Sequence, residues 1–233
     1  MISTPDPAGR TPLWLLCAVA LWLIPALSPR VGSADEGRLY SLPVVGSYEL
    51  PVIDRVSRHD LLSDSGKRVP MLDLEPAQCA VVSFVYASCP DAGGCPLVLA
   101  SLRRVDQALA ERTDLANRVQ LVTVSFDPVR DTPEQLKMLR NHLEPRGEWR
   151  FLTAESDEQL RPVLDDFGQD ALRLIAAEDG RSLGVIRHIA KVFLLDSKLG
   201  IRNIYSTSFL DYEILLRDIE TLLLAESVLP SPN

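Results

Sequence analysis

Ala80-Val81-Val82-Ser83-Phe84-Val85-Tyr86 is almost wholly apolar and runs straight into Ala87-Ser88-Cys89-Pro90-Asp91-Ala92-Gly93-Gly94-Cys95-Pro96. An apolar stretch of that length, closed off by turn residues, predicts a strand buried on both faces. A strand buried in that way, followed by a helix, fits an α/β sheet covered by helices on both faces. The loop after such a strand lies at the carboxyl edge of the sheet, where open α/β folds place their sites. Two cysteines in that short loop therefore put thiol or metal chemistry at the sheet edge.

The rest of the chain follows the same alternation. Pro96 suits a first helical position, and Val98, Leu102, Val105 and Leu109 recur at four-three-four spacing, which predicts a helix to Arg112. Val119 to Phe126 reads as a second buried strand. In the turn Asp127-Pro128-Val129-Arg130-Asp131-Thr132-Pro133, Thr132 can cap and Pro133 can open a helix whose apolar face is Leu136, Leu139 and Leu143. Trp149 to Leu152 predicts a short strand with Trp149 and Phe151 in the core, and Ser156-Asp157-Glu158 opens a helix to Phe167. After a polar connection, Ile189 to Leu195 and Ile201 to Tyr205 predict a hairpin about the turn 196–200, and Phe209 to Leu224 an amphipathic last helix. Upstream, the turn Asp64-Ser65-Gly66-Lys67 and Val69-Pro70-Met71-Leu72 predict a hairpin ahead of the main sheet. This order is that of a thioredoxin-like α/β fold: a central mixed sheet flanked by helices, with an N-terminal β-hairpin extension.

Residues 1–34 have a different character. Arg10 precedes fifteen apolar residues, Leu13 to Leu27, and then Val31-Gly32-Ser33-Ala34, the order of a signal peptide with cleavage after Ala34. The stretch is shorter than the roughly 18 residues typical of a membrane span, yet it could be retained as an anchor. The segmentation expected is thus signal or anchor over 1–34, linker over 35–47, folded domain over 48–226 and tail over 227–233, with the domain outside the cytoplasm, in the periplasm, secreted or tethered to the inner membrane by 13–27. A net charge of −8 with no basic stripe excludes nucleic acid as a natural partner. Four cysteines, with Cys17 a small hydrophobe inside the leader, are too few for a disulfide-built scaffold.

Cys89 and Cys95 are left as the working thiols. Cys95, directly before Pro96, is expected at a helix N-cap, where the dipole and free N–H groups favour a charged sulfur. Residue chemistry alone leaves three readings open: a soft-metal site, a reversible disulfide and a structural disulfide. Most soft sites need a further ligand, and three histidines are available. His59 and His142 fall in polar surroundings and read as surface residues. His188 begins the strand that a thioredoxin-like order places beside the cysteine strand, so its loop would face the cysteines. Asp127 ends the second strand and points to the same edge. Cys79, at the start of the first strand, reads as a buried small hydrophobe.

Together these residues resemble the Sco/SenC family. The resemblance rests on Phe84-Val85-Tyr86-Ala87-Ser88-Cys89-Pro90-Asp91, Cys95-Pro96-Leu97, Asp127-Pro128-Val129-Arg130-Asp131-Thr132-Pro133, and His188 ahead of Val192-Phe193-Leu194-Leu195-Asp196. It covers about Val52 to Leu224. Five residues separate the cysteines here, two more than in the family's Cys-Pro-x-x-x-Cys-Pro, and the additions fall at Gly93 and Gly94. The resemblance implies an exported copper-binding protein that assists copper-centre assembly of cytochrome c oxidase or a related copper protein. Cys89, Cys95 and His188 would be ligands for Cu(I) or Cu(II), with Asp127 beside them. Its partners would be a copper-accepting oxidase subunit or another copper protein, and a thiol reductant. The alternative is an extracytoplasmic thiol-disulfide oxidoreductase in which Cys89 and Cys95 form a redox disulfide with a partner's cysteines as substrate, although a Cys-x-x-Cys motif is absent.

Overall fold

The computed structural model describes residues 40–91, 93–175 and 182–228; the leader, including Leu13 to Leu27 and Cys17, lies outside them. Contacts separate Met1–Ser41 from Leu42–Asn233, and only the second unit is described at length. In chain order its elements are β1 (Asp54–Arg55), β2 (Asp60–Ser63), β3 (Arg68–Pro70), β4 (Cys79–Val85), α1 (Cys95–Ala110), β5 (Val119–Ser125), α2 (Pro133–Leu143), β6 (Trp149–Thr153), α3 (Asp157–Asp166), β7 (Ala171–Ile175), β8 (Ser182–His188), β9 (Lys191–Leu195), β10 (Gly200–Ser206), a 3₁₀ turn Thr207–Phe209 and α4 (Tyr212–Val228).

Eight strands form one sheet in the order β1-β10-β9-β4-β5-β6-β2-β3. The centre is parallel, β4 with β5 and β5 with β6, and the remaining pairs are antiparallel, as expected of a mixed thioredoxin-like sheet. Every residue of β4 and β5 is buried, which is why their sequences run apolar without alternation. Helices α1 and α4 pack on each other and on β4, while α2 packs on β6. Polar groups pair across the central strands: Ser83 and Thr123 hydroxyls lie 2.9 Å apart, and the Trp149 indole N–H donates to Thr123 Oγ1 at 2.9 Å.

Local chemistry sets the element ends. Thr132 Oγ1 accepts from the Gln135 N–H and Pro133 fills the first turn of α2, the arrangement expected from sequence and one that contributes about 1 kcal/mol. Gly66, at φ +76°, supplies the left-handed residue that closes the β2–β3 turn. That hairpin does more than precede the sheet, because β2 pairs with β6 and extends it.

Two expectations need correction. The polar connection before His188 contains β7 and β8, which pair as a separate two-stranded sheet with Ala171 opposite His188. His188 therefore ends β8 and does not begin the next strand; β9 starts at Lys191. His59 is also not a free surface side chain, since its Nε2 lies 2.8 Å from Asp166 Oδ2. Partial burial works against the Asp166 carboxylate, yet the Ser57 N–H and His59 hold it below the usual range. His142 is exposed, as expected.

The chain is anchored before β1 by a buried carboxylate on α4. Asp218 accepts from Tyr48 Oη at 2.6 Å, Asn203 Nδ2 at 2.8 Å and Tyr205 Oη at 2.5 Å, and Gly46 N–H donates to Thr221 Oγ1 at 3.1 Å. Burial and that carboxylate push the Tyr48 hydroxyl up to about 12. Asp218→Ala would strand three donors in a mostly buried place, so we expect a loss of about 3 kcal/mol in urea unfolding. A loss below about 1 kcal/mol would show that the network contributes little.

Candidate metal centre

The parallel pair β4–β5 delivers two loops to one edge. After β4 come Tyr86, which is buried, and Cys89, half-buried, whose N–H donates to the Tyr86 carbonyl at 3.2 Å. Cys95 is the first residue of α1, with Gly94 as N-cap, so the expected cap position is off by one residue. Its side chain is 1% exposed. Burial pushes the Cys95 thiol up to about 12; neighbouring Cys89 adds to this, and the backbone N–H groups of Tyr86 and Cys95 oppose it. The expected charge-favouring effect of the helix terminus is thus outweighed by desolvation. Cys79, Cys89 and Cys95 are all free thiols, and Cys79 is fully buried with its thiol pushed upward by burial, the inert hydrophobe expected.

His188 reaches this edge from the β7–β8 sheet. Its Nε2 lies 3.8 Å from Cys95 Sγ, and its Nδ1 lies 2.9 Å from the Ile186 carbonyl. A carbonyl can only accept, so Nδ1 carries the proton and Nε2 presents its lone pair towards the sulfur. Phe126 packs on the imidazole with ring centroids 4.6 Å apart, and Tyr86 meets it edge-on at 5.7 Å. The structure thus brings Cys95 and His188 together. Cys89 stands on the outer loop, with Sγ 3.9 Å from the Asp91 carbonyl, and its side chain is bonded by the Tyr86 hydroxyl.

Among the described residues no three His, Cys, Asp or Glu side chains form a ready-made metal cluster. The donor set nonetheless fits a soft ion: two thiols and an imidazole whose free nitrogen is already chosen. Cys89 already neighbours Cys95, close enough to raise its thiol, so all three donors lie at this edge. Between the cysteines, Asp91 Oδ1 accepts from the Gly93 N–H at 2.9 Å and the Asp91 carbonyl from the Gly94 N–H at 3.0 Å.

Asp127 is fully buried two residues past the end of β5 and pairs with Arg130 at 3.5 Å. Asp131 has a function that spacing did not reveal. Its Oδ2 accepts from the Ala87 N–H at 3.0 Å and from the Ser125 hydroxyl at 2.5 Å, joining the second loop to the cysteine loop. Burial raises its pKa, opposed by those two donors. The signal available in sequence was an acidic residue left without local work once Thr132 supplied the cap.

A thioredoxin-like domain with two thiols and one oriented imidazole at its carboxyl edge defines a class of thiol-and-metal proteins. The SCO1/SenC family model matches residues 52–224, and the chain belongs to that family. A stretch of 57 residues is 40% identical to a Stutzerimonas stutzeri protein provisionally named as copper-binding, spanning 24% of this chain and only 26% of that relative. SCO2-like protein RP587 of Rickettsia prowazekii is 26% identical over 183 residues, covering 76% of this chain and 78% of its own. Among solved structures, Arabidopsis thaliana ScoI with copper bound superposes with a TM-score of 0.60 at 22% identity, over 73% of this chain and 98% of its own, a likeness of fold.

Asp131→Ala removes the acceptor that holds Ala87, whereas Asp131→Asn retains an oxygen there. Amide hydrogen exchange at Ala87 should quicken by about 10-fold in the first variant and less in the second. Equal protection in all three proteins would show that Asp131 does not restrain the cysteine loop.

Proposed function

We propose that this chain is an exported copper carrier in which Cys89, Cys95 and His188 take up the ion and release it to a copper-accepting subunit of a respiratory oxidase or to another copper protein. The observation that carries the reading is the imidazole at 3.8 Å from Cys95 Sγ with its Nδ1 proton committed to Ile186. A histidine held in that tautomer, with Nε2 free beside a thiol, is prepared to donate to a metal. Two thiolates suit Cu(I), and the imidazole extends the site to Cu(II). Family membership and the copper-bound relative of the same fold support this choice of ion.

The buried thiol also bears on the redox alternative. A thiol pushed up to about 12 is scarcely ionised at neutral pH and is a slow nucleophile for disulfide exchange. Metal uptake must displace the same proton, but the metal–sulfur bond formed as the proton leaves offsets that cost. A thiol reductant is still required, since a Cys89–Cys95 disulfide would withdraw two of the three ligands. Delivery then proceeds by ligand exchange, with Cys89 on the outer loop the first to be released. Residues 13–27 would direct export and, if retained, tether the domain to the membrane; among the described residues no helix is long and apolar enough to cross one.

Anaerobic titration of the reduced chain with Cu(I) should give one tight equivalent, and His188→Ala should weaken binding by at least about 10-fold. Absence of stoichiometric binding, or equal affinity in the variant, would contradict the assignment. Cys89→Ser should abolish tight binding while leaving the fold intact, because serine is close in size and Cys89 is only half-buried, and far-UV circular dichroism would check the latter.

A further inference from the structure

His188 stands at the end of a strand that does not belong to the main sheet, so strand pairing alone does not set its distance from Cys95. The segment after it is held instead by the end of α3. That helix terminates in a Schellman turn: Gly168, at φ +53°, donates to the Asp165 carbonyl at 3.0 Å, and the Gln169 N–H donates to the Leu164 carbonyl at 2.9 Å. The backbone of Gln169 is thereby fixed to α3, whose Leu160, Val163 and Leu164 are buried. From this mount the Gln169 side chain reaches the residue next to the imidazole: Nε2 donates to the Ile189 carbonyl at 2.5 Å. Lys191 returns the contact, with Nζ donating to the Gly168 carbonyl at 2.8 Å.

Gln169 is 4% exposed, and its Oε1 is buried with no hydrogen-bond partner among the described residues. Burying an amide with one side unmet is unfavourable, so its presence calls for a reason, and the bond that it does make grips the loop carrying His188. A carbonyl partner also settles which end of the amide faces Ile189, since only the NH₂ group can donate.

We infer that Gln169 is a positioning residue for His188: clamped to the end of α3, it holds the Ile189 carbonyl and so keeps the imidazole at Cys95. The inference about the loop stands on geometry, while its consequence for copper rests on the function proposed above.

The test uses Gln169→Met, which keeps the volume and loses the donor, with Gln169→Asn as a milder variant that keeps the amide one methylene short. In the metal-free chain, the ¹H–¹⁵N correlations of the His188 ring should show a single Nδ1-protonated form. Both variants should broaden or split those signals while the exposed His142 ring stays unchanged. Cu(I) affinity should fall by about 10-fold in Gln169→Met, but not further when the same change is made in His188→Ala. Unaltered ring signals in the folded variants overturn the proposal, as does an affinity loss that persists in the His188→Ala background. Should the ring respond while even the unaltered chain binds no copper, the positioning role is upheld and the copper reading fails.

Discussion

The in-register parallel pairing of β4 with β5, from Cys79 opposite Val119 to Val85 opposite Ser125, is the constraint on which the rest depends. A shift of one residue would turn every side chain of a strand to the other face, which the buried Ser83–Thr123 hydroxyl pair and the Trp149 bond to Thr123 oppose. Because the strands end together, Tyr86 to Cys89 and Phe126 to Asp131 emerge side by side. The Phe126 N–H donates to the Val85 carbonyl at 2.8 Å, and Asp131 ties Ala87 across the gap. Antiparallel pairing of β9 with β4 then brings the start of β9, and with it the His188 loop, to the same edge.

Opposing requirements meet at that edge. Desolvation keeps Cys95 protonated, whereas metal binding needs the thiolate. A metal ion can overcome this by exchanging for the proton, and the imidazole beside the sulfur is oriented before any ion arrives. Cys89 is half-buried on a loop tied by Asp91, so in the carrier proposed above it would complete the ligand set and also leave it. A carrier needs both properties, since an ion enclosed by buried ligands alone would be released slowly.

Much of this was legible in the residues themselves. The buried runs of β4 and β5, the Thr132–Pro133 helix start and the approach of His188 to the cysteine loop all follow from patterns that need only local chemistry and the strand order. The β7–β8 sheet was missed although Ala171-Leu172-Arg173-Leu174-Ile175 and Ser182-Leu183-Gly184-Val185-Ile186 are apolar enough for strands, because a separate two-stranded sheet has no place in the thioredoxin-like order. The function of Asp131 was not legible either: its partner Ala87 is 44 residues away, and spacing reports only neighbours. Cys95 shows the limit of helix-terminus arguments, as nothing in the sequence revealed that a side chain at the start of α1 would be 1% exposed. His59 looked solvated for the same lack of a visible partner, and Asp166 supplied one.

Copper K-edge X-ray absorption on the reduced, Cu(I)-loaded chain tests the central claim most directly, because it counts the atoms bound to the ion. The account predicts a first shell of two sulfurs and one imidazole nitrogen. A shell with one sulfur, or with no imidazole scattering, would contradict it.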